Sequence, residues 1–244
     1  MKTIYSILLI ALISTVHYGQ QTIKGKITDY EGDDAEIILP VENPKIIGSV
    51  SENGKFIIQL EDEMASAVTE TLEKSNAKSD IRIVNNSVGR AFYCDSDDVV
   101  TINGEQMIES VTRRGTFFMG ILEDKKMVGK LQLANSSTFV DSYFSFGKKD
   151  YVTGYYIDFY YVNEAASVKG ICKTKAYTLD MKSTFFYIHD YDIDLKKGWN
   201  IVKIEITEVY EDQEGHLRPL KYRMSTLDKL PKDVQYIFTP GDKL

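Results

Sequence analysis

The sequence predicts a mainly β protein: an N-terminal β-sandwich with one short helix, then a second antiparallel β-sandwich or barrel-like domain. Apolar and polar residues alternate with a period of two along many short runs, the pattern of half-buried strands. Turn residues separate these runs at regular intervals, as in sandwiches and barrels. Proline is absent from Lys45 to Arg218. That suits a sheet-rich interior, because proline cannot donate to a β ladder.

The chain opens with Met1-Lys2 and an apolar run from Ile4 to Val16, ending at His17-Tyr18-Gly19. A basic start, a short apolar core and a small exit residue predict a secretory signal peptide over residues 1–20, cleaved beside Gly19 or Gln20. The run is shorter than the roughly 20 residues of a membrane span, so no stable span is expected after cleavage. No cysteine follows it, and lipoprotein attachment is not expected. The predicted location is exported, periplasmic or extracellular. Removing Lys2 takes the net charge from −7 to −8. An acidic chain is a poor match for a phosphate backbone, and nucleic acid is not an expected partner.

Between Thr22 and Leu60, short apolar runs occupy Ala35–Leu39, Ile46–Val50 and Phe56–Leu60. Glu31-Gly32-Asp33, Pro40, Pro44 and Asn53-Gly54 separate them, all of it turn chemistry. GKITDYEGDDAEIIL followed by IGSVSENGKFIIQL, with Gly25 in the first strand, resembles the opening of a carboxypeptidase-regulatory-type, transthyretin-like β-sandwich. The resemblance implies a non-catalytic module, here over residues 21–105. It breaks at Glu61–Ala77, where Met64, Val68 and Leu72 fall on one side of a helix. Acidic residues open that helix and Lys74 lies near its end, complementing the helix dipole. Further strands are expected at Ile81–Val84, Ala91–Tyr93 and Val99–Ile102.

Residues 106–244 form the expected second domain, rich in tyrosine. Strands are predicted at Phe117–Leu122, Met127–Leu133, Phe139–Phe146, Tyr155–Val162, Ser167–Cys172, Ala176–Met181, Leu217–Met224 and Val234–Phe238. The strongest signal is Phe185–Val209. Tyr187, His189, Tyr191, Ile193 and Leu195 share one face of a first arm, and Val202, Ile204 and Ile206 share one face of a second. Lys196-Lys197-Gly198 predicts a hairpin loop closed by a left-handed glycine, with Trp199 packed against the aromatic sheet. GYYIDFYYVNEAASVKGIC and YDIDLKKGWNIVKIEI are similar to segments of uncharacterised secreted and surface β-proteins of bacteria.

Chemistry-bearing residues are sparse. No HExxH, GxSxG, GxxxxGK[ST] or CxxC spacing occurs, no catalytic residue is assigned and no cofactor is expected. Cys94 and Cys172 are assigned to different domains, and two buried thiols are favoured over a disulfide. Asp190, Asp192 and Asp194 lie on one strand face about 7 Å apart from one to the next. They are the candidate metal ligands, although calcium wants its oxygens gathered by a curved loop and a solvated face is the simpler account. Tyr156, Asp158 and Tyr160 share a face opposite Tyr155, Ile157, Phe159 and Tyr161. With Trp199 they are the candidate ligand-binding residues, since aromatic platforms beside a carboxylate suit sugars or peptides. The competing account buries both faces.

The sequence therefore predicts an exported, non-catalytic binding or structural β-protein of the bacterial envelope. Its expected partner is a glycan, a peptide or another envelope protein. Two alternatives remain open at this point: a hydrolase with a dispersed Asp/Ser/His site around His189 or His216, and a barrel holding an apolar ligand among Phe139, Phe159 and Tyr161.

Overall fold

A computed structural model describes residues 20–41, 43–77, 86–95, 98–112, 114–124, 126–177, 182 and 184–241. The expected signal peptide up to residue 19, the expected strand 81–84, residues 178–181 of the expected strand 176–181, and Ser96 and Asp97 lie outside the described residues. In chain order the strands are β1 (Gln20–Lys26), β2 (Ala35–Leu39), β3 (Lys45–Val50), β4 (Lys55–Glu61), β5 (Val99–Ile102), β6 (Glu109–Ser110) and β7 (Thr116–Ile121). They continue with β8 (Lys126–Ala134), β9 (Gly154–Val162), β10 (Ala166–Tyr177), β11 (Thr184–Leu195), β12 (Gly198–Glu211), β13 (Leu217–Leu227) and β14 (Gln235–Pro240). The helices are α1 (Asp62–Ala77), α2 (Val88–Ala91) and α3 (Ser137–Tyr143). The protein is mainly β, as its alternation predicts.

The strands join in one large sheet, ordered β1-β4-β3-β2-β7-β8-β9-β12-β13-β11-β10-β5, with β14 beside β8 and β6 beside β9. Hydrogen bonding runs across residue 105, since β2 pairs β7 and β5 pairs β10. At the centre, β9 is covered on both faces. Tyr155, Ile157 and Phe159 enter one core with Ile37, Ile58, Phe117 and Leu131. Tyr156, Tyr160 and Val162 face the other core, with Phe139, Val168, Ile193 and Ile204. Phe139 and Phe159, both fully buried, thus belong to different cores. Helix α1 forms as its pattern predicts, burying Met64, Ala65 and Ala67.

Several sequence expectations require correction. Phe139–Phe146 is a helix at its start, not a strand: Ser136 Oγ accepts the Phe139 N–H at 3.1 Å, capping α3. Phe139 then stacks on Tyr143 one turn later, at 5.5 Å between ring centroids. A serine cap and an i,i+4 aromatic pair outweigh β propensity over so short a run. Ala91–Tyr93 is likewise the end of α2 and its cap, with Phe92 N–H bonded to the Val88 carbonyl. Cys94 and Cys172 are not free thiols but a disulfide, with Cα atoms 5.8 Å apart. Pairing of β5 with β10 brings the chain after Cys94 onto the strand that carries Cys172.

The largest departure concerns β11 and β12. Both strands form with the predicted faces: Tyr191, Ile193 and Leu195 are buried, as are Val202, Ile204 and Ile206. They do not pair as a hairpin. β13 lies between them, parallel to β11 and antiparallel to β12. Two interstrand spacings amount to about 10 Å, and the three steps from Leu195 to Gly198 reach about 11 Å, so the connector can step over the end of β13. Asn200 ties it down: Oδ1 accepts Lys196 N–H at 2.8 Å, and Nδ2 donates to the carbonyls of Lys196 and Gly198 at 2.7 and 2.9 Å.

Gly198 has φ +94°, as the turn predicts, and a Cβ there would meet nothing within 4 Å. Any cost of substitution is therefore backbone strain. Gly198→Val is expected to destabilise by about 1–2 kcal/mol, lowering the melting temperature by about 3–6 °C in a thermal scan. Lys197→Ala, exposed in the same link, should leave it nearly unchanged. Equal melting of the two variants would remove this account of the turn. Trp199 is half-buried, lies edge-on to Tyr161 at 5.3 Å and donates its indole N–H to the Glu61 carbonyl at 3.2 Å.

Candidate functional site

Tyr156, Asp158 and Tyr160 sit beneath the surface. Tyr156 and Asp158 are 5% and 3% exposed. The Asp158 carboxylate accepts from the Thr112 hydroxyl, from Ser110 Oγ at 3.3 Å and from the Phe159 N–H at 2.9 Å, and the Gly115 N–H also bonds to it. Burial pushes its pKa up to about 6, against the pull of these donors toward the charged form. Burial likewise pushes the hydroxyls of Tyr156 and Tyr160 well above the usual tyrosine range. Asp158 therefore fastens the loop between β6 and β7 from below. Gly115, at φ +70°, is required there, because a Cβ would stand 2.4 Å from the Tyr156 ring and 2.7 Å from the Ile157 carbonyl.

What that loop presents is Arg114. It has φ +53°, and its guanidinium lies 5.6 Å from the centroid of the Phe146 ring. Phe146 is itself at φ +54°, followed by Gly147 at +84°, and the residue is 73% exposed. Non-glycine residues adopt this region at a cost of order 1 kcal/mol or more, and such strain concentrates at binding sites. The Phe146 turn is firmly held. Ser145 Oγ donates to the Ser142 carbonyl at 2.7 Å and accepts the Lys149 N–H at 3.0 Å, while Arg218 donates to the Gly147 carbonyl at 3.1 Å.

Between these two loops opens a groove of about 690 Å³, large enough for a small ligand. Phe118, Val140 and Phe144 supply apolar walls, Thr116 and Gln132 a polar floor, and Arg114, Lys130, Lys148 and Lys149 a basic rim. Lys149 pairs with Asp141 at 3.2 Å. Among the described residues no carboxylate pairs with Arg114, Lys130 or Lys148. In a chain of net charge −7, three uncompensated cations around exposed aromatic surface form a local anion trap. The arrangement can hold an acidic group among the cations while an apolar surface rests on the exposed ring. The sequence signal was two basic pairs beside glycines, Arg113-Arg114-Gly115 and Gly147-Lys148-Lys149, which the alternation pattern does not bring together.

The remaining predicted residues lie elsewhere. Trp199 is on the opposite face of the sheet from Asp158 and lines a cleft of about 430 Å³ with Asp192 and Asp194. Asp192 is committed to Lys169 at 2.6 Å and to Arg223 at 3.8 Å, and the Lys169 ammonium holds its carboxyl below the usual range. Asp190, Asp192 and Asp194 follow one open strand face, not a curved loop. Among the described residues, Cys94, Asp95 and Cys172 bring three ligand atoms within 4.8 Å, and those sulfurs are bonded to each other. His189 lies flat between Tyr191 and Tyr222, at 6.0 and 5.3 Å, and burial lowers its pKa. His216 Nδ1 meets Asp150 Oδ1 at 3.2 Å on the surface. No family model matches the chain, and no characterised protein or solved structure shows significant similarity to it.

Proposed function

We propose that this is an exported, non-catalytic binding protein of the bacterial envelope that takes an acidic glycan in the Arg114–Phe146 groove. The observation that carries the reading is the trio Arg114, Lys130 and Lys148, uncompensated among the described residues, around the exposed Phe146 ring. An aromatic face suits the apolar side of a pyranose, and the cations suit its carboxylates. The disulfide favours an oxidising compartment. No helix among the described residues is long and apolar enough to cross a membrane. Residues 25–60 resemble carboxypeptidase-regulatory modules, which are non-catalytic, and this points the same way. Neither His189 nor His216 lines the groove or the Trp199 cleft, so a hydrolase draws no support from either.

Calorimetric titration tests the reading. Uronic-acid oligosaccharides should bind, and neutral oligosaccharides of matched length should bind at least tenfold more weakly. Raising salt from about 50 to 300 mM should weaken the acidic ligand severalfold, because exposed charges are screened. Arg114→Gln combined with Lys148→Gln should cost about tenfold, at about 0.7 kcal/mol per exposed charge. Equal affinity for neutral sugars, or binding indifferent to salt and to both substitutions, excludes the groove as the site.

A further inference from the structure

A second cavity lies where the sheet splits. β11 pairs with β13 only over Ile188–Asp192, whereas β12 stays paired with β13 out to Glu211 and Leu217. Before Ile188, therefore, β11 has parted from β13, and two register shifts between β12 and β13 near Glu208 fall at the same level. Such irregularities commonly re-aim side chains beside binding sites. The gap is an aromatic cup of about 300 Å³, formed by Phe185, Tyr187 and Tyr210 with Tyr177 at the rim. Phe185 meets both Tyr187 and Tyr210 at 4.8 Å between centroids.

The polar groups around this cup are mostly engaged. The Tyr187 and Tyr210 hydroxyls bond to each other. Arg218 is held by Asp212 at 2.8 Å and by the Gly147 carbonyl at 3.1 Å. Glu211 and Asp212 against Arg218 leave one net negative charge on the lining. A sugar needs many hydrogen-bond partners, and this cup has few to spare. A ligand that makes no hydrogen bonds, is cationic and fits ring faces matches it better.

We propose that the cup binds an alkylated ammonium group of the choline type, whether free or as a lipid headgroup. Choline is titrated by calorimetry or ligand-observed NMR against its uncharged isostere 3,3-dimethylbutan-1-ol. Choline should bind at least about fivefold more tightly than the isostere, the ratio that corresponds to about 1 kcal/mol of cation–π attraction. Phe185→Leu keeps the apolar contact but removes the ring, and should lose most of that preference. Glu211→Gln should weaken choline and leave the isostere unchanged. Circular dichroism establishes that each variant is folded. Co-sedimentation with phosphatidylcholine vesicles, absent with phosphatidylglycerol vesicles, assigns the headgroup as the source; choline binding without co-sedimentation assigns the free molecule. Equal affinity for choline and the isostere, no choline binding by the folded protein, or a preference that survives Phe185→Leu overturns the proposal.

Discussion

Reduction of the Cys94–Cys172 bridge is expected to produce the largest loss of stability available from a mild treatment. The cysteines are 78 residues apart in sequence. Loop-closure entropy for such a span gives about 4.5 kcal/mol, and native bridges usually deliver about 2–5. The bridge also holds the segment carrying Phe92, which is 3% exposed and packs edge-on to Tyr191 at 5.7 Å. Urea melts with and without reductant measure the loss directly, and a Cys94→Ser/Cys172→Ser protein should match the reduced form. An unchanged midpoint would mean that the bridge adds nothing to a segment already fixed by packing.

The second large effect is at Asp158. Removing its carboxylate in Asp158→Ala leaves the Thr112 hydroxyl and the Phe159 N–H without their buried acceptor, a loss of about 3–5 kcal/mol. Asp158→Asn isolates the charge. The folded pKa is raised from 3.8 to about 6, so the folded protein binds this proton more tightly than the unfolded chain does. The associated stability is fully present below about pH 4 and is lost as the pH rises through about 6, about 3 kcal/mol in all. Asp62 and Glu109, whose pKa values burial also raises, slope the same way in both proteins. The difference between wild type and Asp158→Asn should therefore carry the pH dependence of Asp158 alone. Parallel stability curves from pH 4 to 7 would show that the carboxyl is not perturbed.

Strand identity was legible because alternation is local: Tyr191, Ile193 and Leu195 point inward wherever the strand is placed. The same was true of α1 and of Gly198, where one residue type answers one backbone need. Neighbour relations were not legible. Nothing in Leu217–Leu227 states that it lies between β11 and β12, since either edge offers the same hydrogen-bonding groups. The run Phe139–Phe146 misled because apolar content was counted ahead of the Ser136 cap. Tyr156 and Asp158 were correctly placed on one face of β9, yet periodicity cannot say which faces meet water when both are apolar. The groove was hidden for a related reason. Arg114 and Phe146 both take left-handed conformations without being glycine, and their cationic companions come from separate stretches of chain.

The position of β13 has a consequence for synthesis. Until Leu217–Leu227 leaves the ribosome, β11 and β12 each lack one native neighbour, and until Gln235–Pro240 follows, much of β8 also has an open edge. Strands β13 and β14 therefore fill two vacancies deep in the order of the sheet instead of extending its margin. Most of the contacts they complete join residues far apart along the chain, the kind that close late and slowly. A nascent chain ending before Leu217 is not a smaller version of this protein. It exposes three unpaired edges of the sort that seed aggregation, so β13 and β14 decide whether the sheet made before them stays soluble.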